Sequence, residues 1–297
     1  MGGAFYKIWP QILKYIQCRR LNALCGKGLN VKKIIALIIF GLAVIPIQPI
    51  FASGMNIGSL SHIHQVKISG KSILLGTHEG LFILKNSNTV IQVGKEEFDV
   101  MGLSIDGNRF YASGHPGPKS KLLNPVGLLN STDGGKSWQK ISLQGKVDFH
   151  LLESRNSELY GADSQSGDLL YSQNYGKTWS SRGKNLFSDI AINPTNKKNA
   201  LALAGGRLVS TKKSFLSKSI TAPDLVFTQI EWSKKGLLGA SGRKLLYSLD
   251  QGKTWKVRYN FEAAISGLAK SPQLVVAITG SKIWTSTDEG KTFTLFE

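Results

Sequence analysis

From about residue 62 the chain alternates short apolar runs, four to seven residues long, with breaks made of Gly, Asn, Ser or Lys. Runs of that length bounded by turn formers predict strands, since amphipathic helices need about 10–12 residues of 3.6-residue periodicity. Three runs form a set, and six sets follow one another. The first is HIHQVKIS from His62, SILLGTH from Ser72 and GLFILKN from Gly80. The second is DVMGLSID from Asp99, RFYASGHP from Arg109 and VGLLNSTD from Val126. DFHLLES from Asp148, ELYGADS from Glu158 and DLLYSQN from Asp168 make the third. SDIAINP from Ser188, NALALAG from Asn199 and RLVSTKK from Arg207 make the fourth. The fifth is FTQIEWS from Phe227, GLLGASG from Gly236 and KLLYSLD from Lys244. ISGLAKS from Ile265, LVVAITG from Leu274 and KIWTSTD from Lys282 complete the series. No helix of ordinary length is expected among them.

An eight-residue phrase punctuates these sets: STDGGKSW from Ser131, SQNYGKTW from Ser172, SLDQGKTW from Ser248 and STDEGKTF from Ser286. Successive starts lie 41, 76 and 38 residues apart, and an eroded copy, STKKSFLS from Ser210, falls inside the 76-residue gap at the right phase. In each full copy a Gly supplies the positive φ of a tight turn and the Asp, or Asn174, accepts from the turn's own amides. The phrase is a hairpin turn between the third and fourth strands of a unit. Repetition at this period predicts an all-β six-bladed β-propeller over residues 55–297, with each blade complete in sequence. The ring would close by packing of the first blade on the sixth, with residues 55–60 lying across the seam.

The first 54 residues carry seven Lys or Arg and no acid, and Ile34 to Ile45 is an uncharged apolar run. Pro46 and Pro49 follow, then small residues at Ala52, Ser53 and Gly54. This is the anatomy of a secretory signal cleaved after Ala52 or Gly54. The alternative, a retained membrane anchor, is disfavoured because a span needs about 20 apolar residues. The expected location is secreted or cell-wall associated, with membrane contact only through an uncleaved leader. Both cysteines, Cys18 and Cys25, precede the apolar run, so neither a disulfide nor a lipid-modified cysteine is expected in the exported domain.

Removing the seven leader charges from the total of +18 leaves +11 on residues 55–297. Such a balance suits an anionic glycan, wall polymer or membrane surface, or simply a solvated basic exterior. No nucleic-acid motif accompanies it, so a nucleic-acid partner is not expected.

All five histidines, His62, His64, His78, His115 and His150, fall in the first three blades. Three begin first strands and two end second strands, so all should project at one mouth of the central channel. Aligning the first strands puts His62, Asp99, Asp148 and Asp189 at one level and His64, Met101, His150 and Ala191 at the next. Imidazoles mixed with carboxylates serve either as acid–base groups or as ligands of a divalent metal such as zinc. The metal candidates are His62, His64, His78 and His150; the catalytic candidates are Glu79, Asp99 and Asp148; His115 and Asp189 are candidate substrate contacts. These groups could equally fill the channel by hydrogen-bonding one another. Three prolines stiffen the insertion from His115 to Val126, a candidate binding loop beside this mouth.

The phrase Ser-x-Asp-x-Gly-x-Thr-Trp resembles the Asp-box, or BNR repeat, of sialidase-like, sortilin-like and photosystem-assembly-factor propellers. HIH at His62, THEGL at Thr77, GHP at Gly114, NPVGL at Asn124 and VDFHL at Val147 further resemble exported bacterial Asp-box propellers described as glycosyl hydrolases. The resemblance implies a glycoside hydrolase, with the imidazoles as acid, base or metal ligands, or a non-catalytic propeller that binds a protein or glycan at the cell surface; in either case a monomer is expected. The sialidase arginine triad has no counterpart: no Arg-Ile-Pro segment occurs, and Arg109, Arg155, Arg182, Arg207, Arg243 and Arg258 mostly fall at strand starts or outer turns. Sialidase activity is therefore not expected.

Overall fold

Each set of apolar runs becomes one antiparallel sheet, and each sheet gains a more polar fourth strand. The computed structural model describes residues 54–212, 215, 217–222 and 224–297. The expected leader, with its apolar run and both cysteines, lies outside the described residues. Blade one contains β1 (Met55–Asn56), β2 (Ile63–Ser69), β3 (Ser72–Thr77), β4 (Gly80–Asn86) and β5 (Thr89–Gln92). Blade two is β6 (Phe98–Asp106), β7 (Arg109–Pro116), β8 (Leu128–Ser131) and β9 (Gln139–Ser142). Blade three is β10 (Phe149–Arg155), β11 (Glu158–Asp163), β12 (Asp168–Ser172) and β13 (Ser180–Lys184). Blade four is β14 (Asp189–Ile192), β15 (Ala200–Ala204), β16 (Arg207–Lys212) and β17 (Ser217–Ala222). Blade five is β18 (Gln229–Ser233), β19 (Gly236–Ser241), β20 (Lys244–Ser248) and β21 (Lys256–Asn260). Blade six is β22 (Ile265–Lys270), β23 (Val275–Thr279), β24 (Lys282–Ser286) and β25 (Thr294–Leu295). Their first strands touch in succession, from β2 through β6, β10, β14, β18 and β22 back to β2. The protein is a six-bladed β-propeller.

The apolar residues that defined the strands pack between blades, giving six clusters, one at each blade junction. Second strands such as Glu158–Asp163 are buried along their whole length. Covered on both faces, they read as continuous apolar runs rather than alternating ones. Among the described residues, no strand is shared between blades one and six. β1 pairs outside β5 of blade one, while blade six keeps four strands of its own. Ile68, Ile73 and Leu75 meet Ala269, Leu274 and Val276 at the seam, and Ile57 and Leu60 pack against that cluster. Ser271 Oγ donates to Gly70 O across the same seam at 2.8 Å.

The repeated phrase works as a lock between blades. In the first copy the Ser131 hydroxyl accepts from Gly135 N at 2.8 Å and donates to Asp133 at 2.7 Å; Asp133 accepts in turn from Ser137 N and Oγ. Hydrogen bonds from Ser137 and Ser131 hold the Asp133 carboxyl down at about 2. Gly176 has φ of +78°, and a Cβ there would lie 2.1 Å from Leu128 Cδ2 of the preceding blade. Gly135, Gly252 and Gly290 abut Leu81, Leu208 and Leu245 in the same way. The closing aromatics also repeat a contact. Trp138, Trp179, Trp255 and Phe293 pack on Phe98, Phe149, Phe227 and Phe261, with ring centroids 4.7–5.6 Å apart. In blade four, whose copy is eroded, buried Phe215 makes the equivalent contact with Phe187 at 5.0 Å.

Candidate functional site

Four first strands bend where they reach the mouth, that of blade six between Ile265 and Gly267, and three of them carry the candidate groups. The ladders of blades one, two and three shift register between Ile63 and Gln65, between Val100 and Gly102, and between Phe149 and Leu151. The residues inside those shifts are His64, Met101 and His150. A bulge adds an unpaired residue and turns its side chain out of the ordinary alternation. His64 and His150 therefore line the central channel at its mouth. His78 comes from the β3–β4 turn, Asp99 from β6, His115 from the end of β7, and Asp148 from the residue preceding β10. Gly114, with φ of +142°, lets β7 close on β6 here: a Cβ would lie 1.9 Å from Asp99 O.

The structure sorts these groups into two clusters. In the first, His64 Nε2 lies 3.0 Å from Asp99 Oδ1 and His78 Nδ1 lies 2.9 Å from Asp99 Oδ2. In the second, His115 Nε2 lies 3.1 Å and His150 Nε2 2.8 Å from the same Asp148 oxygen, Oδ2. Ser164 Oγ also donates to that oxygen at 2.8 Å. Asp99 and His115 are register partners across the β6–β7 ladder, so the clusters are neighbours, with these Cα atoms about 5 Å apart. Both carboxylates are buried, whereas the side chains of His78, His115 and His150 are 63%, 40% and 46% exposed. Burial lowers the pKa of His64; Asp99 opposes this, and the net position is below that of an ordinary imidazole.

The remaining candidates stand apart. His62 is exposed; its ring lies 4.6 Å from that of His64, and its carbonyl accepts from His78 N at 3.1 Å, but its side chain does not reach Asp99. Glu79 Oε1 accepts from Ser61 N at 2.9 Å and Ser61 Oγ at 2.5 Å, tying the entry segment to the β3–β4 turn. Burial works against the Glu79 carboxylate, but the Ser61 hydrogen bonds outweigh it and its pKa is lowered. Asp189 lines the channel with Lys67, Glu153 and Glu231, away from either cluster's hydrogen bonds. It accepts from Ile190 N and Ile230 N, and burial pushes it up to about 7. Burial likewise raises Glu231 to about 8 and raises Glu153. Lys67 Nζ lies 3.7 Å from Glu153; burial disfavours its charge, but Glu153, Glu231 and Asp189 raise its pKa overall.

Two open spaces meet the clusters. The channel, about 530 Å³, is lined by His64, His150, Lys67, Glu153, Asp189 and Glu231. A cleft of about 720 Å³ between blades one and two is lined by His78, Asp99, His115 and the start of the insertion, Pro116 to Pro118. Within the insertion, Asn124 Oδ1 lies 2.9 Å from His115 Nδ1 and sets the orientation of that ring. Asn124, Ser164 and the channel set of Lys67, Glu153 and Glu231 were not singled out from sequence. One signal was available: Lys67 and Glu153 each follow a bulge histidine by three residues.

A model of the BNR/Asp-box repeat matches residues 246–257, within blade five. No curated protein matches the chain in sequence. Solved propellers match its fold. YCF48 bound to a D1 peptide is 15% identical with a TM-score of 0.51, over 82% of this chain and 83% of that one. A chain of a nidogen/laminin complex is 10% identical with a TM-score of 0.57, over 76% and 93%. A GH74 enzyme from Niastella koreensis is 15% identical with a TM-score of 0.55, over 78% of this chain but only 37% of the enzyme. At these identities the likeness is one of fold.

Proposed function

We propose that the protein is an exported propeller that takes an anionic glycan of the cell surface at its histidine-bearing mouth. The observation that carries this reading is the asymmetry of the two faces. At the mouth, four imidazoles converge on two buried carboxylates beside open space. On the opposite face the Asp-box carboxylates spend their hydrogen bonds on their own turns. The charge of +11 on residues 55–297 draws a polyanion toward the domain, and the mouth supplies a defined place for its acid groups. A protein ligand is the competing partner. The YCF48 structure shows that a propeller of this fold holds a peptide.

The test is binding by full-length protein to purified anionic and neutral wall polysaccharides, with thermal melting as the check on folding. Preference for the anionic polymer, lost in the His64→Ala/His150→Ala double variant with the fold intact, is the expected result. Equal binding to neutral polymer, or binding unaffected by the double variant, contradicts the reading.

One observation favours a second reading, hydrolysis in the manner of glycosyl-hydrolase-like propellers. His150 Nε2 is hydrogen-bonded at 2.8 Å to Asp148, whose side chain is 3% exposed, while the imidazole is 46% exposed. A half-exposed imidazole oriented by a buried carboxylate is how a general base is held. Release of reducing ends from a polymer by wild type and not by His150→Ala supports it; no release from any polymer that binds excludes it.

A further inference from the structure

We infer that the mouth holds two divalent cations, one on His64, His78 and Asp99 and one on His115, His150 and Asp148. This deepens the proposed ligand site, but metal occupancy can be measured without any glycan. Within each set, one ligand atom per residue can be chosen so that all lie within 4.8 Å of one another. Each set is gathered from separate places: a bulge, a turn and a neighbouring blade for the first; two blades and a strand end for the second.

His150 Nε2 and Ser164 Oγ hydrogen-bond Asp148 Oδ2, but three features go beyond such ordinary polar contacts. His64 Nε2 and Asp99 Oδ1 approach to 3.0 Å without hydrogen-bond alignment, and both atoms are buried with no hydrogen-bond partner among the described residues. Two buried polar atoms that meet side by side and remain unsatisfied are costly, whereas a cation between them satisfies both. Asp148 Oδ1 is likewise buried without a partner. At His115, the amide oxygen of Asn124 2.9 Å from Nδ1 places the ring proton there. In the neutral ring with that tautomer, the Nε2 lone pair faces an Asp148 oxygen at 3.1 Å, two acceptors turned toward each other. That is the outer hydrogen bond of a metal-ligating imidazole, which fixes the tautomer and turns the other nitrogen to the ion.

Two imidazoles and one carboxylate suit zinc and neighbouring first-row ions, whereas calcium and magnesium take oxygen ligands. Three protein ligands leave at least one coordination position open, the arrangement of a reactive or ligand-binding centre rather than a closed structural one. With the more exposed imidazoles bordering the cleft and the channel, those positions are available to carboxylate or phosphate oxygens. The anionic glycan would therefore be read through the metals.

The test is zinc titration of full-length protein after chelation and dialysis, followed by metal analysis of the desalted sample. Two equivalents are expected for wild type and for His62→Ala, one each for His64→Ala and His115→Ala, and none for the double variant. Zinc should raise the melting temperature of wild type, which keeps the test decisive if a variant folds poorly. No retained zinc and no shift in melting overturns the inference, as does unchanged stoichiometry in His64→Ala and His115→Ala. Glycan binding assayed on chelated and zinc-loaded protein separates the two proposals. Zinc without glycan binding leaves the metals and removes the glycan reading, whereas glycan binding indifferent to chelation, with no zinc retained, does the reverse.

Discussion

Asn124 and Gly176 show how far single residues carry this structure. Asn124 does not border either carboxylate, yet its 2.9 Å contact fixes the His115 ring. Removing an outer hydrogen bond of this kind lowers metal affinity about 10–100-fold. Asn124→Ala should therefore weaken zinc binding by that factor while leaving melting of the chelated protein unchanged, as competition with a chromogenic chelator would show. Gly176→Ala acts on the fold instead. Its Cβ would meet Leu128 Cδ2 at 2.1 Å from a backbone at φ of +78°. Overpacking alone costs about 1–3 kcal/mol, and the strained φ adds to it, so denaturant melts should show a loss of at least about 2 kcal/mol. The Asp-box glycines were legible from the repeated phrase. Asn124 was not, because what it does depends on where the insertion folds back onto β7.

At the scale of elements, the first three strands of every blade could be read from the sequence because burial between blades makes them apolar. The fourth strands carry no such run, and only the turn phrase before them pointed to their presence. Ser180–Lys184 and Lys256–Asn260 are edge strands with few buried side chains, and charge or hydroxyl groups on such an edge prevent pairing with other chains. The bulges at His64 and His150 also escaped, since the strict alternation used to phase those strands carries no mark of an extra residue. What survived was the level: His64, Met101 and His150 occupy equivalent bulges on three successive first strands. The aromatic locks belong to this scale as well. Trp255 packs on Phe227 with ring centroids 4.7 Å apart and donates to Gly252 O at 3.0 Å. Trp255→Ala should cost about 3 kcal/mol in a denaturant melt and leave zinc stoichiometry at the wild-type value.

For the whole molecule, the channel makes stability depend on pH. Asp189 at about 7 and Glu231 at about 8 sit well above the ordinary carboxylate range, because burial disfavours their charge. Lys67, Glu153 and Arg155 are the other charged groups that act on them. Folded pKa values above the unfolded ones mean that the folded state binds more protons between about pH 4 and 8. The contribution of these two groups to stability is thus complete below about pH 4 and declines as pH rises from there to about 8. Melting temperature should fall over that interval in wild type, and Glu231→Gln should flatten the decline. A decline of equal slope in Glu231→Gln would remove that residue from the account. None of this was legible beforehand. Lys67, Glu153, Asp189 and Glu231 come from four different blades, and only ring closure brings them together.

The claim on which the account turns is that the histidine-bearing mouth, and not the Asp-box face, is where the protein meets its ligand. The most direct measurement is chemical footprinting by mass spectrometry, with and without an anionic wall polymer, reading histidine and lysine modification in one sample. Protection of His78, His115 and His150, with Lys136, Lys177, Lys253 and Lys291 of the Asp boxes still modified, is the predicted result. Protection of those four lysines with the three histidines left reactive would contradict it.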